Sequence, residues 1–147
     1  MAKENFRIES ENDVKSYLQN LKYALEHGAR INLQKERLVD QERDIKFSNT
    51  YTIAKLFPNQ NPIVALRREL KKLTVEEYIA TVKDLRFSER SEMREFGRIY
   101  NGEEDVYIKI RVELLGDNGN HTAFVMSFHF AVVNFSDEMF PYKRGKG

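Results

Sequence analysis

The chain has no cysteine and no tryptophan among its 147 residues, only three prolines and three histidines, and almost no net charge. Each shortage narrows the possibilities. Without cysteine there is no disulfide, thiol nucleophile, zinc–thiolate centre or iron–sulfur cluster. His27, His121 and His129 are far apart in sequence and no H-E-x-x-H is present, so a histidine-rich metal centre is not expected. A formal charge of +1 means that any affinity for nucleic acid must come from a local arrangement of cations. No apolar run approaches the length of a membrane span, and the polar start Met1–Ser10 lacks the apolar stretch of a signal peptide. The expectation is a cytoplasmic protein. Neither G-x-x-x-x-G-K-[ST] nor G-x-G-x-x-G occurs, so phosphate-loop and dinucleotide fingerprints are absent. No G-x-S-x-G elbow points to a serine hydrolase.

What is present is an ordinary globular composition, 41% apolar and 32% charged, with 10 Phe and 7 Tyr to fill a core. The length suits one domain, here taken as 1–147 with a short N-terminal arm over residues 1–10 and a basic C-terminal tail. Helix signals come first. Val14, Tyr17, Leu18, Leu21, Ala24 and Leu25 recur at three- and four-residue steps after Asn12 or Asp13 as N-cap, and Gly28 stops the helix. His27, in the last turn, is read as a dipole partner rather than a catalyst. Arg30–Gln34 alternates like a short strand. Lys35 to Asp44 mixes both signs of charge like a solvated face. Ser48, Asn49 and Thr50 offer caps for a helix ending at Leu56, and Pro62 suits the first turn of the next. Arg67, Arg68, Lys71 and Lys72 make that helix basic at its C-terminal end. Thr74 with Glu77 three residues later forms a capping box and predicts a helix burying Val75, Tyr78, Ile79 and Val82.

Strand signals follow. Leu85–Phe87 reads as a short strand or turn. Met93–Tyr100 puts Arg94, Phe96, Arg98 and Tyr100 on one face, with Gly97 as a candidate bulge. Asn101-Gly102 is a tight turn. Val106–Leu114 then alternates Val106, Ile108, Ile110, Val112 and Leu114 with Tyr107, Lys109, Arg111 and Glu113. A turn over 116–120 leads to Thr122–Val132, where Phe124, Met126, Phe128 and Phe130 share one face and Val125, Ser127 and His129 the other. Centring that turn near Asn118 sets Tyr107 opposite His129 and Lys109 opposite Ser127. Helices first and strands last predict an α+β fold, with N-terminal helices packed on one face of a small C-terminal antiparallel sheet.

The polar face of the hairpin carries a phenol, an ammonium, a guanidinium and an imidazole around a hydroxyl. Many strands have such a face simply because it meets water. These groups are also a sufficient kit for cleaving RNA without a metal. A base takes the 2′-hydroxyl proton, an acid protonates the leaving 5′-oxygen, and cations stabilise the phosphorane. An imidazole with an ordinary pKa of about 6.5 serves either proton role. Arg94, Arg98, Lys109 and Arg111 are the candidate phosphate ligands.

Leu73 to Phe128 resembles the MqsR family of toxin–antitoxin ribonucleases, within the wider RelE-like group. Leu73-Thr-Val-Glu-Glu-Tyr78 is similar to the family's Leu-Ser/Thr-x-x-Asp/Glu-aromatic helix start. Val106-Tyr-Ile-Lys-Ile110 is similar to its Val-Tyr-Leu-Lys-Ile strand, and Val125-Met-Ser-Phe128 to its Val-Ser-Phe strand with one residue added. The resemblance implies an MqsR/RelE-like fold and a cytoplasmic endoribonuclease toxin that needs no cofactor, with messenger RNA as substrate and a cognate antitoxin as partner. It places the catalytic tyrosine on Tyr107 and the strand lysine on Lys109. Two positions depart: His129 stands where the family has a lysine, and Arg94 where it has a glutamine. A third departure removes a cation, because the family's helix lysine falls near Ala80, with Lys83 one turn later as a possible replacement for contact with RNA. The alternatives are a non-catalytic RNA- or protein-binding module of the same fold, or an interaction protein that docks a partner through Phe135, Met139, Phe140 and Tyr142.

Overall fold

A computed structural model describes residues 4–34, 47–84, 92–115 and 120–144. The expectations for Lys35–Asp44, Leu85–Phe87, the turn at 116–119 and the basic end at 145–147 lie outside those residues. The fold is α+β. The chain runs β1 (Glu4–Arg7), α1 (Glu11–Glu26), β2 (Arg30–Leu33), α2 (Asn49–Leu56), α3 (Pro62–Leu70), β3 (Tyr78–Asp84), β4 (Met93–Tyr100), β5 (Glu104–Leu115) and β6 (Asn120–Phe130). The strands form one six-stranded sheet in the order β1-β3-β4-β5-β6-β2. It is mixed rather than wholly antiparallel, because β2 runs parallel to β6, with Ile31 opposite Ala123 and Leu33 opposite Val125. Among the described residues no helix is long and apolar enough to cross a membrane.

The helices start where small polar side chains satisfy their first amides. Ser10 caps α1 by accepting from the Asp13 amide at 3.1 Å, so the cap lies before Asn12 and Asp13. Ser48 accepts from the Tyr51 amide at 3.2 Å, and Asn61 from the amides of Ile63 and Val64 at 2.9 and 3.1 Å. Gly28, at φ +82°, ends α1 in the left-handed region that a Cβ disfavours. The core joins Val14, Leu21 and Leu25 of α1, Ile53 of α2 and Ala65, Leu66 and Leu70 of α3 to the sheet residues Tyr78, Phe96, Val106, Ile108, Ile110, Val125 and Phe128. Arg67 takes no part in a free basic cluster. Its guanidinium donates to the Leu25 and Ala29 carbonyls at 2.9 and 2.8 Å, tying α3 to the C-terminal end of α1.

Three further expectations change. Residues 4–7 are not an arm but an edge strand, with Phe6 opposite Val82. The capping box at Thr74 and Glu77 is formed, yet it opens a single 3₁₀ turn over Val75–Glu77, after which β3 begins. Thr81 and Val82 are β-branched and pair with both β1 and β4, so tertiary pairing decides the element. Gly97 is no bulge, since β4 and β5 pair regularly through Gly97 opposite Tyr107. The bulges lie elsewhere. Ile79 is the extra residue between Tyr78 and Ala80 against β4, and Met126 the extra residue between Val125 and Ser127 against β5.

Candidate active site

The register decides which side chains meet. Asn101 and Gly102 take positive φ values of 55° and 78°, a tight turn that reflects β4 onto β5. Glu95 then falls opposite Lys109, and Gly97 opposite Tyr107. Across the next ladder Lys109 is opposite Ser127 and Tyr107 opposite His129, as the sequence predicts. Directly opposed residues share a sheet face. One row therefore reads Ala80–Glu95–Lys109–Ser127 over β3 to β6, and the next reads Gly97–Tyr107–His129 over β4 to β6.

This polar face is not an open solvated surface. Glu95 and Lys109 are each 8% exposed, His129 7% and Ser127 4%. The Tyr107 hydroxyl donates a hydrogen bond to Oε2 of Glu95. The Tyr107 and His129 rings lie 5.5 Å apart, centroid to centroid, inclined at 51°. His129 Nδ1 lies 2.9 Å from the Phe130 carbonyl. A carbonyl accepts only, so Nδ1 carries a hydrogen and Nε2 is the ring nitrogen not engaged by that carbonyl. Buried ionisable groups held in mutual contact are the setting in which proton transfer is arranged. Beside the cluster the chain's last segment returns. The Phe135 amide donates to Asp105 Oδ2 at 2.8 Å, and a Cβ placed on Gly97 would lie 2.8 Å from both the Phe135 and Phe140 rings. Gly97 is thus required by close approach. Phe140 is buried, and the Tyr142 ring stacks on Tyr78 with its hydroxyl donating to the Glu9 carbonyl. Phe140 and Tyr142 of the aromatic tail thus pack on the chain's own sheet.

The predicted phosphate ligands divide. Lys109 belongs to the cluster. Arg111 is on the same strand face but opposite Phe124, whose ring lies 4.9 Å from its guanidinium carbon. That pairing arises because the Met126 bulge turns Phe124 away from the face shared by Phe128 and Phe130. Arg94 and Arg98 do not converge on Tyr107, and the expectation that they do is corrected. Arg94 is opposite Ile110 and Arg98 opposite Val106, which puts both on the face that carries the core. Arg94 donates to Glu9 at 2.9 and 3.1 Å and covers the Tyr17 ring at 4.4 Å. Arg98 lies 3.7 Å from Glu77 and 5.4 Å from the Tyr100 ring. Lys83 is on β3 opposite Asn5, on the same side as Thr81 and Arg94, and does not reach the cluster.

Sequence reasoning overlooked Glu95. Its signal was nonetheless present, because reflecting β4 onto β5 about Gly102 pairs positions whose numbers sum to 204, which joins 95 with 109. No protein-family model matches the chain, and neither does any curated protein or solved structure.

Proposed function

We propose that this chain is an MqsR/RelE-like endoribonuclease toxin that cleaves messenger RNA in the cytoplasm by metal-free acid–base chemistry and is held in check by a cognate antitoxin. The reading rests on one observation above the others: a phenol and an imidazole stand side by side on one sheet face with an ammonium in the adjoining row. Tyr107 and His129 act as the proton-transfer pair, and Lys109 stabilises charge developing on phosphorus. Support also comes from the Met126 bulge, which falls on the added residue in the Val-Ser-Phe resemblance.

Purified protein incubated with a synthetic RNA in excess EDTA is expected to produce 2′,3′-cyclic phosphate and 5′-hydroxyl ends. Tyr107→Phe and His129→Ala are each expected to slow the reaction ~10²-fold or more and to relieve growth arrest on expression. Intact RNA with the unmutated protein, together with harmless expression, would overturn the reading.

The second reading, a non-catalytic RNA- or protein-binding module of the same fold, is favoured by Ala80. It faces the cluster from β3, opposite Glu95, and brings a methyl group where the resembled family brings a cation. RNA bound but left uncut would decide for it.

A further inference from the structure

The geometry points to Glu95 as the terminal proton acceptor of the cluster, working through Tyr107, with His129 as the acid. This rests on the ribonuclease reading above and gives it a direction. A phenol is a poor base at neutral pH, because with an ordinary pKa of about 10 only about one in a thousand is ionised. A carboxylate that accepts the phenolic hydrogen removes the difficulty. Tyr107 already donates to Glu95 Oε2, so its oxygen lone pairs are directed away from the carboxylate. The Tyr107 proton is directed at Glu95, and an ordinary carboxyl has lost its proton at neutrality, which leaves the His129 imidazole as the group to donate to the leaving oxygen.

The step balances as follows. The 2′-oxygen bonds to phosphorus as its proton passes to the Tyr107 oxygen and the phenolic proton passes to Glu95. The bond from phosphorus to the 5′-oxygen breaks, and that oxygen leaves with the bonding pair and the proton from Nε2 of protonated His129. The products are a 2′,3′-cyclic phosphate and a 5′-hydroxyl, with Glu95 neutral and His129 neutral. Lys109, between Glu95 and Ser127, stays charged throughout and faces the dianionic phosphorane. Glu95 touches the substrate only through Tyr107, so it is a positioning and relay residue.

Two RNA oligonucleotides test the assignment, one with an ordinary linkage and one with sulfur bridging at the 5′ position. A thiolate leaves without help from an acid, so the sulfur substrate bypasses the acid and still requires the base. On the ordinary linkage, Glu95→Gln is expected to lower kcat about 100-fold with KM within twofold. Glu95→Asp should recover part of the rate, and Glu95→Gln combined with Tyr107→Phe should be no slower than the worse single change. On the sulfur linkage, His129→Ala should regain nearly the unmutated rate, while Glu95→Gln and Tyr107→Phe should not. Urea unfolding of each variant identifies any rate lost merely by unfolding. Rescue of Glu95→Gln but not His129→Ala would reverse the assignment and overturn it. An active protein indifferent to Glu95→Gln would overturn the role of Glu95 alone, and an unmutated protein inert on both substrates would overturn the ribonuclease reading with it.

Discussion

The Arg94 guanidinium reaches both carboxylate oxygens of Glu9, while Thr81 donates to the same carboxylate at 2.8 Å and Arg7 lies 3.2 Å from it. Glu9 is 7% exposed and the Arg94 side chain 17%, so each charge depends on the other for its solvation. Removing Arg94 leaves the buried Glu9 carboxylate with Thr81 and the half-exposed Arg7 as partners, which puts the cost at the low end of the about 3–5 kcal/mol for a broken buried pair. Arg94→Met keeps an unbranched apolar stem at this position and removes the guanidinium that covers Tyr17 and pairs with Glu9. It is expected to lose about 3 kcal/mol of stability in urea unfolding. At a temperature where the variant remains folded, cleavage of RNA should be unchanged, because Arg94 projects from the other face of β4 than Glu95. A folded Arg94→Met protein that no longer cleaves would return Arg94 to the site. The difference between Arg94 and Lys109 was legible in the alternation of β4, which separates Arg94 from Glu95. Which of those faces joins Tyr107 follows only from the strand register, and that requires reading the Asn101-Gly102 turn as a mirror as well as a stop.

At the scale of elements, α2 does part of the work of a strand. Along the outer edge of β6, β2 pairs as far as Val125, and the Gln34 amide adds a last bond to the Val125 carbonyl at 3.0 Å. Beyond it the edge is completed by side chains of α2. Asn49 donates to the Met126 carbonyl at 2.9 Å and to the Gln34 carbonyl at 2.6 Å, and accepts from the Phe128 amide at 2.9 Å. Thr52 accepts from the Phe130 amide at 2.9 Å. These bonds hold the strand segment that carries Ser127 and His129, so a fold contact sets the geometry of the candidate site. Asn49→Leu is expected to cost about 3–5 kcal/mol, since three buried polar groups lose their partner at roughly 1–3 kcal/mol each. Thr52→Val uncovers one amide and should cost about 1–2 kcal/mol. Amide hydrogen exchange should accelerate at Phe128 in the first variant and at Phe130 in the second. Unchanged exchange at both would show that α2 does not secure the edge. In the sequence Ser48, Asn49 and Thr50 look alike as caps. Ser48 is the cap, and the use of Asn49 on a strand 77 residues away is a long-range pairing that no local pattern encodes. The same limit explains β3. The capping box at Thr74 is real, but the element after it is settled by neighbours on β1 and β4. The hairpin was legible because turn chemistry and alternation agree there, as far as the Met126 bulge.

At the scale of the whole molecule, three carboxylates among the described residues tie distant elements together, and each is held below the ordinary carboxylate range. Burial would raise Glu9, but hydrogen bonds from Arg94 and Thr81 and the charges of Arg94 and Arg7 outweigh it. Burial would likewise raise Glu69, which Arg68, Tyr100 and Lys72 bring down by hydrogen bonding. Glu92 is lowered chiefly by its bond to Arg7. Glu9 joins the start of α1 to β3 and β4, Glu69 joins α3 to Tyr100 of β4, and Glu92 joins β4 to β1. A depressed folded pKa gives stability that is present above the unfolded value, about 4.3, and is lost as pH falls through the folded value. Glu77 acts in the opposite sense. Burial raises it despite the Thr74 amide and Arg98, so its neutral form favours the fold at low pH and that benefit disappears as pH rises through its folded value. Glu9, Glu69 and Glu92 each lose their contribution as pH falls, so urea midpoints should decline below about pH 4, with Glu77 opposing that decline. Glu9→Gln can retain much of the hydrogen bonding without the charge. It should lower the midpoint at pH 7 and flatten the acid limb, whereas Glu77→Gln should raise the midpoint at pH 7 and leave the acid limb standing. An acid limb as steep in Glu9→Gln as in the unmutated protein would mean that the junction of β1, α1, β3 and β4 is held by packing around Tyr17 and Tyr78 rather than by the ionised state of Glu9.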